Sequence, residues 1–477
     1  MSRLDNPSYI CCLPPEFARH TRPWLARLTS FWRISLVLKG KAHDRYRKLH
    51  QKYGPIVRTA PNVVDISDPS AISIIYGINS KFLKSLFYRP FDMIYEGEFM
   101  SSMFTCRSPE EHKALKRPVA QKFSMTSIRT FEYLVDPCSE IFTESMKDLQ
   151  GQVVDLGVWA QWYAFDAIGA MTFGQRFGFM EQRKDVENMI AGLEHGLMLA
   201  SVTGQIPWIH RFFIGNKTLR KIVGRLSLKD PMHIANRKYD AGANSNDRRD
   251  FLAYFRQQQK STGEPMPQKE LMNHLINNLL AGSDTTAISL RAIFYYVIRD
   301  KRVYRKLQSE IDGLEVAGKL SPVISYGESL QMEYLQVCMK EAMRMHPGVA
   351  LPLERLVPAG ETRLAGHFLS EGTVVGINPA VIHRDREIFG VDADEFRPER
   401  WLDEEEKVKS MDRHLLTFGA GVRTCIGKNI SLMEMGKFIP QVFRKFELEW
   451  ASAEPEWDIH TYWFSKQSGL LVRFKER

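Results

Sequence analysis

The chain has 477 residues, 44% hydrophobic and 25% charged, with Lys plus Arg at 65 against Asp plus Glu at 56 for a formal charge of +9. That balance excludes disordered and collagen-like chains and leaves room for a core that encloses a cofactor and an apolar pocket. No run of cations is interleaved with aromatics, so no nucleic-acid partner is expected.

Six scattered cysteines (Cys11, Cys12, Cys106, Cys138, Cys338, Cys425) point to a reducing, intracellular compartment rather than a disulfide scaffold. No pair of them has zinc-site spacing. The first residues carry no apolar signal core, and the apolar run 34–38 is far short of the about 20 residues a bilayer requires. Residues 1–40 therefore read as an N-terminal segment without a transmembrane anchor, ahead of one large domain, 41–477. Trp24, Leu25, Leu28, Phe31, Trp32 and Leu36 recur near helical spacing beside Arg27 and Arg33. That pattern suits either peripheral membrane contact or an ordinary packed helix.

Residues 54–59 and 63–66 are predicted as short strands around the Ala60-Pro61-Asn62 turn. From about Glu110 to Asp300 the pattern is mostly helical. Polar turn clusters break it at Asn244-Ser245-Asn246-Asp247 and Ser261-Thr262-Gly263-Glu264-Pro265. A long helix is predicted over 268–300. It is largely apolar yet carries Asn273, His274, Asn277, Asn278 and Asp284, which marks burial in protein rather than lipid.

In its middle, Ala281-Gly282-Ser283-Asp284-Thr285-Thr286 sets an acid and hydroxyls in apolar surroundings, which costs stability unless they are paired. Gly282 costs about 1 kcal/mol against Ala, so something there is expected to need the space. A Thr hydroxyl at this point bonds the helix backbone or a ligand and can open a local bulge. Further on, Glu341-Ala342-Met343-Arg344 places an acid and a base on one helix face. Short strands return past Pro347, notably 373–377, and a Pro- and Gly-rich, helix-poor stretch runs to Gly427. The last long helix begins there, with Met435, Ile439, Val442 and Phe446 as its apolar stripe.

Between them lies Phe418-Gly419-Ala420-Gly421-Val422-Arg423-Thr424-Cys425-Ile426-Gly427, a glycine-rich loop carrying one Cys to a helix start. The glycines permit unusual backbone and close approach to a flat ligand. The helix N-terminus is expected to favour the thiolate, with loop N–H groups donating to the sulfur. Arg423 is suited to pair with an anion. A buried structural cysteine is the common alternative, but it does not account for Phe, Gly, Arg, Cys and Gly at fixed offsets.

This loop resembles the haem-binding signature Phe-x-x-Gly-x-Arg-x-Cys-x-Gly of cytochromes P450. Segment 281–286 is similar to the family's oxygen-activation motif. Glu341-x-x-Arg344 with Phe396-Arg397-Pro398-Glu399-Arg400-Trp401 is similar to its scaffold motifs, and the resemblance runs from about His50 to the C-terminus. It implies the cytochrome P450 fold, mainly α with small β-sheets, with haem b between the long helix and the Cys425 loop. Cys425 would ligate the iron, with Phe418, Arg423 and Gly427 shaping the cofactor loop. Gly282 would lie beside dioxygen, Thr285 would hydrogen-bond the activated oxygen and its water, and Asp284 would relay protons from solvent.

Arg355 falls where the family often has a propionate-pairing Arg. His112 and Arg117 fall in its haem-contacting helix, although Lys113 stands in the Trp place of the usual Trp-x-x-x-Arg. Glu341, Arg344 and Arg400 would form a buried scaffold. The implied reaction inserts one oxygen atom of O2 into an apolar small molecule. Electrons would come from NADPH through a separate cytochrome P450 reductase, since no dinucleotide fingerprint is present in the sequence. A basic face at Lys113, Lys116 and Lys122 suits such an acidic donor.

The expected state is a monomer, cytoplasmic or peripheral on the cytosolic face of the endoplasmic reticulum. A rearranging enzyme needing no O2 and a gas-binding haem sensor are the alternatives. The Asp284-Thr285 pair argues against the first. Leu49-His50, Lys52-Tyr53-Gly54-Pro55-Ile56-Val57-Arg58 and His383-Arg384-Asp385 look like fungal enzymes related to pisatin demethylase, which act mostly on plant defence compounds or secondary metabolites. Leu13-Pro14-Pro15 resembles their Pro-rich hinge. The substrate pocket is expected to draw on 87–104, 197–213, the start of the long helix, 349–353 and Tyr462-Trp463-Phe464.

Overall fold

The computed structural model describes residues 23–95, 98–207, 249–259, 263–360 and 362–477. The Leu13-Pro14-Pro15 hinge, Cys11, Cys12, the 244–247 turn, residues 261–262 and positions 208–213 of the expected pocket wall lie outside the described residues.

The predicted hairpin forms as Ile56–Ala60 antiparallel to Val63–Ile66, and it seeds a five-stranded sheet. Val374–Gly376 joins parallel to the second strand, followed by Arg355–Leu356 and Leu83–Lys84. Asn62 of the turn pins this distant pairing, its side-chain amide donating to the Gly372 carbonyl at 2.9 Å. The sheet thus carries Lys84 and Arg355 side by side on paired strands.

The long helix runs Gln268–Arg299 without interruption, about 48 Å at 1.5 Å per residue. It packs along Leu156–Phe173, a helix buried on almost every face, which is why that sequence has no polar side. Close approach explains Gly282: a Cβ there would stand 2.8 Å from Ile168. The space that glycine leaves is filled by a neighbouring helix. The last helix, Lys428–Lys445, crosses the long one, and the Thr286 and Ser431 hydroxyls meet at 2.7 Å between them.

One stretch departs from the sequence reading, and another follows one of its two alternatives, the packed helix. Helix Glu405–His414 lies inside the stretch expected to be helix-poor. Acids in its first turn and Arg413 and His414 in its last complement the helix dipole, while Met411, with the half-buried Val408, anchors it in the core. Before residue 41, helices Trp24–Leu28 and Phe31–Val37 pack on the body, with Ala26 and Val37 fully buried. Arg33 there forms a buried ion pair with Glu354, whose other oxygen accepts from Ser85 at 2.6 Å. Trp24, Leu28 and Phe31 remain exposed on the outer side. Among the described residues, no helix is long and apolar enough to cross a membrane.

The scaffold around Glu341 is fully buried. Arg344 grips both Glu341 oxygens at 2.9 Å, Arg400 donates to one at 2.8 Å, and the Trp401 indole donates to the other at 2.9 Å. His383 links this cluster to the cysteine loop. Its Nδ1 lies 3.2 Å from the Arg344 carbonyl and its Nε2 accepts the Leu416 N–H at 2.7 Å, which requires the neutral ring with the proton on Nδ1. Burial first, then the charge of Arg344, lowers His383 from 6.5 to about 3. His346 is lowered to about 3 as well, again chiefly by burial.

Because both folded values lie below the unfolded one, the unfolded chain binds the extra protons between about 6.5 and about 3. Stability is therefore fully present above that window and falls as pH drops through it. Thermal melts between pH 7 and 5, above the carboxylate range, should show this loss, and His383→Gln should flatten the slope. An equal slope in the variant would remove His383 from the account.

Candidate active site

The cysteine loop is set by backbone geometry. Gly419 and Gly421 take φ values of 69° and 61°, and a Cβ at Gly421 would stand 1.9 Å from the Tyr76 carbonyl oxygen. Only glycine fits there. The Cys425 N–H donates to the Phe418 carbonyl at 2.8 Å, closing the loop on itself. Gly427 has an ordinary negative φ of −79°, and a side chain there would begin 3.9 Å from the Cys425 sulfur, so its contribution is space at the sulfur.

Cys425 is deep inside the protein and yet its surface is accessible, so its sulfur faces an interior space. The backbone N–H groups of Gly427 and Lys428 act on it in the expected direction, favouring the charged sulfur. The expected preference for the thiolate is not met by the polypeptide alone. Burial pushes this thiol up from its ordinary value against those N–H groups and the charges of Lys116 and Lys428. Low dielectric around a charged sulfur outweighs a few N–H dipoles, and a cation bound to the sulfur reverses that balance.

A second accessible surface lies on the long helix. Ala281, Gly282, Thr285 and Ser289 form an accessible stripe at near-helical spacing, while Ser283, Asp284, Thr286 and Ala287 between them are buried. The Thr285 hydroxyl donates to the Ala281 carbonyl at 2.6 Å, so it stands on this stripe without breaking the helix. Asp284 points the other way, into the interface with Leu156–Phe173, where Gln161 donates to it at 2.6 Å. Burial pushes Asp284 up, and the charge of Arg291 and the Gln161 hydrogen bond offset part of that.

The expected cations do converge. A cleft of about 760 Å³ is lined by Arg107, His112, Lys116, Arg117, Arg355 and Arg423 among others, with no carboxylate in its wall. Arg423 makes only long contacts, at 3.4 Å, to the Met103, Arg107 and Ser108 carbonyls and to the Cys106 sulfur. Arg355 is buried and donates at 2.8 Å to its neighbour Glu354's carbonyl. Arg117 is exposed at the rim. His112 is lowered to about 4, by burial first and then by Arg423, Lys116 and Lys84, so its ring is neutral at neutral pH.

Lys84 and Arg107 were not singled out in the sequence. Lys84 is buried over the rings of Tyr88 and Phe104, 4.2 and 4.4 Å from their centroids, and donates to the Phe104 carbonyl. No motif marks it; only the pairing of its strand brings it beside Arg355.

These surfaces fit a haem. The interior sulfur offers one ligand, and among the described residues no group of three or more His, Cys, Asp or Glu is placed to hold a bare ion. A metal on Cys425 therefore takes its remaining ligands from a non-protein group. An acid-free cationic cleft bounded by Ala420, Val422 and Arg423 suits that group's carboxylates.

Four of the five stretches expected to line a substrate pocket meet in one buried cluster, and the start of the long helix packs in a different one. Phe87, Tyr88, Phe91, Phe104 and Trp463 form one aromatic cluster with ring centroids 5.4 to 5.8 Å apart. Leu197, Val349, Leu351, Leu353, Tyr462 and Phe464 pack against it.

A mainly helical body with small sheets, an accessible interior cysteine on a glycine loop and a hydroxyl stripe on a buried helix define a haem-thiolate oxygenase. The Cytochrome P450 family model matches residues 20–472, and the chain belongs to that family. It is 37% identical to cytochrome P450 monooxygenase cicH of Emericella nidulans over 95% of this chain and 93% of that protein. A cytochrome P450 monooxygenase of Aspergillus terreus is 37% identical over 89% of each chain. Monooxygenase gsfF of Penicillium aethiopicum is 36% identical over 95% of this chain and 92% of that protein. The protein is a haem-thiolate monooxygenase that uses O2 and a redox partner.

Proposed function

We propose that Cys425 is the proximal ligand of haem b and that Thr285 and Asp284 serve the oxygen side. The supporting observation is the accessible Cys425 sulfur inside the protein, on the loop that leads into a helix tied to the long helix by Thr286 and Ser431. When bound, the haem activates dioxygen for insertion of one atom into substrate. The polypeptide's own part is to hold charge, water and protons. Arg423, Arg355, Arg117 and the neutral His112 meet the haem carboxylates, and Gly427 leaves space at the sulfur.

Thr285 stands on the accessible stripe with its oxygen free to accept a further hydrogen bond, while Asp284 supplies protons from behind. The aromatic cluster supports an apolar small molecule as substrate. The fungal relatives support a place in secondary metabolism or detoxification, with electrons from NADPH through cytochrome P450 reductase docking on the Lys113, Lys116 and Lys122 face. We place the enzyme as a monomer, with one catalytic domain, either cytoplasmic or peripheral on the cytosolic face of the endoplasmic reticulum.

The test is the carbon monoxide difference spectrum of the reduced protein, which should show the red-shifted Soret band of sulfur ligation. Thr285→Ala should keep that spectrum but release hydrogen peroxide at the expense of product, with coupling to NADPH falling on the order of 10-fold or more. Unchanged coupling would remove Thr285 from the mechanism.

A further inference from the structure

Behind the accessible stripe, Arg291 is a charge sealed inside the protein. It lies seven residues after Asp284 on the long helix, which puts both on the face that meets Leu156–Phe173. Its Nε donates to the Gly157 carbonyl at 2.8 Å and one Nη to Gln161 Oε1 at 2.7 Å, while the other Nη has no hydrogen-bond partner. Gln161 in turn donates through Nε2 to Asp284 at 2.6 Å. One amide therefore bridges the buried cation to the buried acid, and both of its ends are in use. A Cβ at position 157 would lie 3.1 Å from the Arg291 Nε, so that glycine keeps room for the guanidinium.

A guanidinium stays charged even when buried, and an uncompensated charge in low dielectric is strongly unfavourable. The carboxylates that act on Arg291 are Asp284 and, at the start of the Leu156–Phe173 helix, Asp155. Asp155 also accepts the Val158 N–H and feels Lys466 of the C-terminal hairpin, which itself pairs with Glu194 and feels Asp185. Other acids near these helices are engaged elsewhere or pushed toward neutrality. Asp166 holds the N–H groups of Gly178, Phe179 and Met180, and Glu341 holds Arg344 and Arg400. Glu434, which lies by Tyr163 and Cys138 with no hydrogen-bond partner, is pushed up by burial toward its neutral form and is not among the groups that act on Arg291. Asp284 is thus the acid in contact with this cation's bridge.

We propose that Arg291 and Gln161 are positioning residues that bias Asp284 toward its carboxylate and hold it on the closed side of the helix. The proposal rests on the reading of Asp284 as the proton relay. Before Asp284 passes a proton toward the stripe, it takes one up from solvent and its bond to Gln161 loosens. The bridge therefore sets the pH at which the relay is loaded. Removing a nearby cation favours the neutral acid, so the loading pH should rise.

The experiment uses the haem-loaded enzyme. The infrared C=O band of protonated Asp284, isolated as the difference between wild type and Asp284→Asn, is titrated against pH. Peroxide released per NADPH consumed is followed in parallel with reductase and no added substrate. In Arg291→Leu the midpoint should move up by about one pH unit or more, and the peroxide profile should move with it. Arg291→Lys should restore most of the wild-type midpoint. Should Arg291→Leu fail to fold, Gln161→Leu leaves both charges and should still shift the midpoint upward by a smaller amount.

A midpoint that stays put in Gln161→Leu and in any folded Arg291→Leu would overturn the proposal. A peroxide profile unaffected by Asp284→Asn would instead overturn the relay reading on which it rests.

Discussion

Cys425→Ala should yield folded protein whose reduced carbonyl form lacks the red-shifted Soret band and whose monooxygenation is undetectable. Fold and ligand separate here for a structural reason. The loop is held by Gly419 and Gly421, by the Cys425 N–H on the Phe418 carbonyl, and by the Thr424 hydroxyl on the Gly421 carbonyl at 2.8 Å. None of these uses the sulfur. The sulfur faces an accessible space, so its removal opens no packed cavity and should cost stability within about 1 kcal/mol. Cys425→Ser keeps size and hydrogen bonding but offers a far less acidic, harder ligand, and should also lose the sulfur spectrum. A retained red-shifted band in either variant would eliminate Cys425 as the ligand, and with it the proposed arrangement of the site.

Glu341→Ala should have the opposite character, a failure of assembly rather than of chemistry. Burial alone would push Glu341 up, but hydrogen bonding and charge from Arg344, the charge of Arg400 and the Arg397 N–H hold it below its ordinary value. It is therefore ionised, and its share of stability is present above the unfolded carboxylate range and lost as pH falls through the lowered folded value.

Truncation leaves two fully buried guanidinium groups facing each other and strips the partner from the Trp401 indole. Breaking such a buried pair costs about 3–5 kcal/mol, a large part of the about 5–15 kcal/mol that holds a domain together. Haem content per protein should fall several-fold, and Tm should drop by on the order of 10 °C. Glu341→Gln keeps some hydrogen bonds and should lie between. Haem content and Tm equal to wild type in Glu341→Ala would show that the network does not hold the cysteine loop.

The parts legible in the sequence share a property: each is encoded by residues close together in the chain. The hairpin at 56–66, the Gln268–Arg299 helix and the helix after Gly427 follow from periodicity, turn residues and glycine placement. Helix Glu405–His414 was hidden because one buried residue, Met411, and the half-buried Val408 leave almost no apolar stripe to read. The packing of residues 24–37 onto the body was one of two alternatives that the sequence left open. Their apolar face suits lipid and protein equally, and the decisive contact, Arg33 with Glu354, spans more than three hundred residues of chain.

By itself, the sequence determined the chemistry on offer: a single cysteine on a glycine loop, an acid and a threonine in a buried helix, and a matched set of scaffold charges. Those are properties of residue type and local spacing. Tertiary structure decided which way each group faces. Thr285 lies on the accessible stripe, whereas Asp284, one residue away, is turned about 100° to Gln161. Gly282 is required by Ile168, and Lys84 is set beside Arg355 only by the pairing of their strands. Direction, burial and ionisation depend on partners contributed by distant segments, and only the packed chain brings those partners into place.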